Sequence, residues 1–293
     1  MIQRSTIRLL RFHFSFFLMP VYWFALSQVV KPHLGRASLI FFIIHGLIYP
    51  SSNGFNSYMD RDEGSIGGLK NPPAPTLQLL WVSQVMDLLA LLLGFFISVY
   101  FVGATLIYIL ASRAYSARSI RLKKYPIIGY LTVISCQGAL IFFMVYHGSH
   151  PLNTLDVPAL GMVAASLLIG GFYPLTQVYQ HQADANDGVR TISALLGIRG
   201  TFWFCSIMNG IAFCVLAFFF ALSLEIKEFV LLTTCMLPIL VYFIVWAIQV
   251  WRNPARADFT HTMRMNTIAS CCSTIGFILV FLMNYRLTYL NFY

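Results

Sequence analysis

Long apolar runs separated by short polar stretches dominate the chain. Set against the ~20 residues that cross ~30 Å of hydrocarbon, the runs predict nine helical crossings near residues 9–30, 38–59, 78–98, 101–116, 126–147, 158–181, 202–224, 229–251 and 265–287. Because Leu79 to Ser116 is nearly unbroken, the third and fourth crossings require a tight turn near Tyr100 to Gly103. Without that turn every later crossing would be inverted. The first run is too long for a signal-peptide core and no small-residue cleavage site follows it, so it is expected to be retained.

Two polar stretches end apolar runs abruptly. The first is Asn53-Gly-Phe-Asn56-Ser-Tyr58-Met-Asp60-Arg61-Asp62-Glu63. If the second helix continues through it, Asn53, Asn56, Asp60 and Glu63 are spaced three, four and three apart and share one face, with Asp62 pointing elsewhere. Carboxylates at a helix C-terminus meet the negative end of the macrodipole, so a positive partner is expected there. The second stretch, 177–191, repeats the pattern: Gln177, Gln180, Asp184 and Asp187 are also spaced three, four and three apart. Both stretches follow even-numbered crossings and therefore lie on the same side of the membrane. Between them, the segment 113–126 carries Arg113, Arg118, Arg121, Lys123 and Lys124, five basic residues within twelve positions. Some of these anchor the loop at headgroup level. Arg121 and Lys123, shortly before Pro126, are the best placed to clamp an anion.

Composition turns the runs into a class. The chain is 58% hydrophobic and 10% charged, with mean hydropathy +0.74, against ~25% charged in soluble globular domains. This predicts an all-α integral membrane protein of nine transmembrane helices, organised over 1–293 as a single transmembrane unit. With the N-terminus cytoplasmic, fifteen of the nineteen Lys and Arg residues fall inside and four (Lys31, Arg36, Lys227 and Arg286) outside, a strong positive-inside asymmetry. The net charge of +9 thus reads as topology and attraction to anionic lipid or phosphate, not nucleic-acid binding. The expected location is the bacterial inner (cytoplasmic) membrane with the site facing the cytoplasm. All six cysteines fall inside predicted crossings without CxxC or Cys/His ligand spacing, and read as packing residues.

Oxygen-rich clusters of acids and amides suit a hard cation, and Mg²⁺ in particular is held by a few carboxylates together with substrate phosphates. Two such helix ends, a basic loop and an apolar space between helices would fit a diphosphate head with a hydrocarbon tail. Ionising an allylic carbon–oxygen bond there would draw on metal and cations for the leaving group, and on aromatic faces for the developing cation.

The pairing of Asn56-x-x-x-Asp60-Arg61 with Asp184-x-x-Asp187-Gly188-x-Arg190-Thr191, joined by Tyr115-Ser116 and Arg121-Leu122-Lys123, resembles the UbiA superfamily of intramembrane prenyltransferases. The resemblance covers nearly the whole chain and implies a UbiA-like bundle. It implies Mg²⁺ held by Asn56, Asp60, Asp62, Glu63, Asp184 and Asp187. A donor diphosphate is implied to contact Asn56, Arg61, Tyr115, Arg121, Gln180 and His181, and Asp60, Asp184, Lys123 and Arg190 to carry the reaction. The family's later Asp of the first motif falls on Gly64, leaving Asp62 or Glu63 to substitute. Its first Asp of the second motif falls on Gln180, leaving Asp187 or His181 to make up the lost charge.

The implied activity is transfer of a prenyl group from an isoprenoid diphosphate donor to a hydrophobic acceptor within membrane lipid: an aromatic, a quinone precursor or a lipid. An intramembrane terpene cyclase or diphosphate lyase would keep the ionisation and drop the acceptor. A cation-coupled transporter is the reading outside this class, resting on Asp87 in the third crossing, for which no partner is evident in the sequence. Arg11 and His13, just inside the first crossing, read most simply as headgroup-level or bundle-facing polar residues.

Overall fold

A computed structural model describes residues 2–61 and 63–290, with side chains to Tyr285. Among the described residues, nine helical spans are long and apolar enough to cross a membrane: α1 (Arg4–Ser27), α2 (Leu34–Asp60), α3 (Leu77–Gly94), α4 (Val99–Ser116), α5 (Pro126–Ser149), α6 (Ala159–Gln177), α7 (Ile192–Leu222), α8 (Ile226–Arg252) and α9 (Phe259–Tyr285). The protein is an all-helical integral membrane protein, and each crossing expected from hydropathy has its counterpart. The turn between α3 and α4 falls at 95–98, earlier than expected, because the Ser98 hydroxyl accepts from Phe101 N–H at 3.0 Å and starts α4 there.

The helices form a closed bundle. α1 packs against α5 and α9, α2 against α3 and α4, α6 against α5 and α7, and α8 against α9. The interior is aromatic: Phe24 of α1 stacks on Phe277 of α9 at 4.8 Å and meets Phe142 of α5 at 5.0 Å. Where α5 meets α6 the backbones touch. A Cβ on Gly138 would lie 2.4 Å from Ser166 Cα, so only glycine lets the helices approach this closely.

Irregular segments in three of the spans shape the site. α1 breaks at Arg11, whose backbone is left-handed (φ 47°), and continues as a 3₁₀ segment over Phe12–Leu18. α2 takes a π-helical turn over Phe42–Ile48 before its final segment Tyr49–Asp60. α6 tightens to a 3₁₀ segment over Tyr173–Gln177, where Pro174 cannot donate the helical hydrogen bond. The α6 run was expected to carry Gln177 to Asp187 on one helix. Instead the chain turns at 178–180 and restarts as a short helix, His181–Asn186.

Candidate active site

The end of α2 supplies the first wall. Asn53, Asn56 and Asp60 all line one cavity of about 200 Å³. Arg61 ends the helix in the left-handed region (φ 55°), with its N–H on Ser57 O at 3.1 Å. Glu63 therefore leaves the helical face and is exposed, and Asp62 lies outside the described residues. The Arg61 side chain is exposed too, flanking a shallow surface groove with Tyr58, Met59 and Arg118 instead of the cavity. Beyond it the chain folds back through an Ile66–Leu69 bridge, with Gly68 at φ 82°, and packs under α1. Arg11 fastens this loop: its guanidinium donates to Gly67 O at 3.0 Å and Asn53 O at 3.3 Å. His13 Nε2 meets Gly68 O at 3.0 Å.

The second acidic stretch faces the first. Asp184, on the short helix, lines the cavity, as do Gln177, Tyr179 and Gln180. Gln180 Nε2 donates to Ser65 O at 3.3 Å, so the loops after α2 and α6 are in direct contact. His181 Nε2 hydrogen-bonds Ser193 Oγ at 2.7 Å, and burial lowers its pKa, keeping it neutral near pH 7. His181 is thus a packing contact to α7 and not a cavity cation. Arg190 is exposed and outside the cavity wall. Thr191 caps α7, accepting from Ala194 N–H at 3.3 Å.

The basic loop joins the two acidic ends. After α4 the chain takes a left-handed residue at Arg121 (φ 52°) and a 3₁₀ turn over Leu122–Lys124, which directs both side chains inward. Lys123 Nζ lies 2.5 Å from Asp60 Oδ1. Arg121 pairs with Asp187 and reaches Asp60 at 3.7 Å. With side-chain exposures of 4% for Asp60, 10% for Lys123 and 12% for Arg121, these charges meet away from bulk solvent, where charge-assisted hydrogen bonds are strong. Asp187 thus acts on the site through Arg121. Ser116 Oγ donates to Asn56 Oδ1 at 2.7 Å, and Tyr115 shares a hydrogen bond with Tyr173, which also accepts from Gln177 Nε2 at 2.8 Å.

The sequence did not mark Arg11 or Tyr173 as cavity residues. For Arg11 the deciding feature is a left-handed break that no local signal marks. For Tyr173 a trace was present in Pro174, which announces a break in α6. Asp87 has the partner that its sequence neighbourhood did not reveal: it is ion-paired with Arg113 of α4 and accepts from Ser51 Oγ at 2.5 Å.

Among the described residues no three His, Cys, Asp or Glu side chains converge as a metal cage. The cavity instead offers two carboxylates, Asp60 and Asp184, beside amide oxygens. One of those, Gln177 Oε1, is buried without a hydrogen-bond partner. An all-oxygen set with two acids and an unsatisfied acceptor fits Mg²⁺, which completes its shell with phosphate and water. A second, apolar cavity of about 170 Å³ adjoins the first, sharing Phe14, Gln137, Tyr173 and Thr176 and extending past Phe17 and Val21 to Phe277.

Residues 15–268 match the UbiA prenyltransferase family. The chain belongs to that family. No curated protein sequence matches it. Among solved structures, a UbiA homologue from Archaeoglobus fulgidus bound to DMAPP and Mg²⁺ aligns with TM-score 0.68 at 20% identity, over 94% of this chain and 99% of that one. An apo UbiA homologue from Aeropyrum pernix K1 aligns with TM-score 0.67 at 18% identity, over 91% and 97%. A structure described for digeranylgeranylglyceryl phosphate synthase aligns with TM-score 0.62 at 15% identity, over 97% and 98%. At these identities the likeness shows the UbiA fold. In this UbiA member, both acidic stretches and the basic loop that carried the sequence resemblance border one cavity.

Proposed function

We propose that this UbiA-family protein transfers a prenyl group from an isoprenoid diphosphate to a hydrophobic acceptor within the membrane, with Mg²⁺ as cofactor. The observation that carries it is the convergence of Lys123 on Asp60 at 2.5 Å, beside a cavity that opens into an apolar one. A charged head and a hydrocarbon tail would then each find their own environment. The A. fulgidus homologues, bound to GPP or DMAPP with Mg²⁺, support the donor class.

Asn56, Asp60 and Asp184 are the donor set best supported for the metal, with Gln177 and Gln180 alongside them at the cavity wall. Glu63, exposed beyond the helix end, is the least supported acid of the first stretch. The metal supplies neutralisation of charge on the leaving diphosphate. Lys123 and Arg121 supply fixed donors to phosphate oxygens, positioned by Asp60 and Asp187 before substrate arrives. The Tyr115 and Tyr173 rings line the head of the cavity, where aromatic faces stabilise an allylic cation. The bundle interior keeps water from quenching it. Arg190 remains a candidate for the diphosphate by its motif position alone. The reading includes a single transmembrane unit over 1–293 in the bacterial inner membrane, with the site on the cytoplasmic side. The excess of basic residues at that end supports this orientation.

Purified protein given prenyl diphosphates and Mg²⁺ tests the proposal. Diphosphate release that requires an aromatic or lipid acceptor, and is lost in Asp60→Ala and Asp184→Ala, is the expected result. Release of a hydrocarbon or terpene alcohol from donor alone would replace transfer with cyclase or lyase chemistry. Undiminished turnover in both variants would remove the site assignment.

A further inference from the structure

At the opposite end of the bundle from Asp60, the α1–α2 loop, the α7–α8 loop and the end of α9 enclose a cavity of about 280 Å³. The 27-residue span of α2 separates the two ends by roughly 40 Å at 1.5 Å per residue, so this is a separate place on the molecule. Its wall carries two acids, Glu225 and Glu228, together with Lys31 and Asn284. Glu228 is only 6% exposed. Glu225 receives Asn284 Nδ2 on Oε1 at 3.1 Å, while its Oε2 is buried with no hydrogen-bond partner. Asn284 also donates to Ser27 O at 3.1 Å, fixing the acid between α1 and α9.

Two neighbouring acids at one cavity, one of them with a buried carboxylate oxygen that no hydrogen bond fills, call for a cationic donor. The space is far larger than the ~30 Å³ that one water occupies in the liquid, which suits a polar headgroup better than a bare ion. Its rim is apolar and open: Val30 is 67% and Leu224 87% exposed, and both border the cavity. A guest there has hydrocarbon beside it and a buried acid pair beneath it.

We propose that this distal cavity binds a phosphoethanolamine lipid headgroup, its primary ammonium on Glu225 and Glu228, its phosphate on the side of Lys31, and its acyl chains along Val30 and Leu224. A primary ammonium brings three N–H donors, enough to fill the vacant position on Glu225 Oε2 and to reach Glu228 as well. A quaternary choline has none, so the site discriminates between two lipids of equal charge.

The test is native mass spectrometry of the full chain released from mixed vesicles of phosphatidylethanolamine and phosphatidylcholine. Phosphatidylethanolamine is expected to be retained roughly tenfold over phosphatidylcholine, the factor of one hydrogen bond to a charged group, and Glu228→Gln to erase the preference. Equal retention of the two lipids by the unaltered protein would overturn the proposal without reference to any variant. So would an unchanged preference in Glu228→Gln, as would thermal stabilisation of lipid-stripped protein by Na⁺ or Ca²⁺ alone that Glu228→Gln abolishes, since that marks a metal site.

Discussion

Arg113 of α4 is ion-paired with Asp87 of α3, and Ser51 of α2 contacts both, accepting from the guanidinium at 2.9 Å and donating to the carboxylate at 2.5 Å. The guanidinium also lies over the Phe55 ring at 4.0 Å. Directly beside them, Ser52 meets Ser112 at 2.6 Å, and one turn on toward the site, Ser116 meets Asn56. Three polar contacts thus fix the register of α2 against α4, and with it the distance from Asp60 to the basic loop that follows α4.

Asp87→Ala leaves a guanidinium largely buried without its acid. Loss of one partner from such a pair is expected to cost about 3 kcal/mol, seen as a lower melting temperature in detergent. Asp87→Asn combined with Arg113→Met removes both charges and is expected to recover most of that loss. A double variant no more stable than Asp87→Ala would mean that the pair does not act as a unit.

Lys123→Ala removes the cation closest to Asp60. The donor KM is expected to rise by about 10- to 100-fold, the equivalent of one hydrogen bond to a charged group, while Arg190→Ala, exposed and off the cavity wall, has a much smaller effect. Diphosphate release measured against donor concentration distinguishes the two, and equal effects would place Arg190 at the substrate.

Phe277 stands at the far end of the apolar cavity. Phe277→Leu opens room there, and each additional buried methylene is worth ~0.8 kcal/mol, or about fourfold in binding. The ratio of kcat/KM for a longer over a shorter prenyl diphosphate is expected to increase severalfold. An unchanged ratio would show that the tail takes another path.

Glu225 is pushed up to about 7, first by burial and then by the charge of Glu228, with the Asn284 hydrogen bond opposing the rise. The folded state therefore binds the proton more tightly than the unfolded chain. Its stabilising contribution is present below about pH 4.5 and is lost as pH rises toward 7. His181, lowered by burial, has the opposite sign: its contribution is present above the ordinary histidine range and is lost as pH falls through it. In lipid-stripped protein, Glu225→Gln is expected to flatten the decline in melting temperature between pH 5 and 7 relative to the parent, a range set by the raised carboxyl. Parallel curves for the two proteins would contradict it.

Hydropathy alone determined the nine crossings, since a helix is the structure that satisfies its own backbone in hydrocarbon, and the count follows from length and composition. The polar stretches at 53–63 and 177–191 and the basic loop between them were equally legible, because acids at a membrane edge stand out against apolar sequence. What the sequence left undecided was which of those acids meet. Helical periodicity put Glu63 on a face with Asp60, but a left-handed Arg61 ends the helix first. The same periodicity carried α6 through to Asp187, whereas Pro174 narrows it and a separate short helix delivers Asp184. Left-handed breaks at Arg11 and Arg121 are held by contacts from distant segments, Arg11 on Gly67 and Arg121 on Asp187. Local sequence carries no record of those contacts, so packing alone decided that the α2 end, the short helix and the basic loop share one cavity.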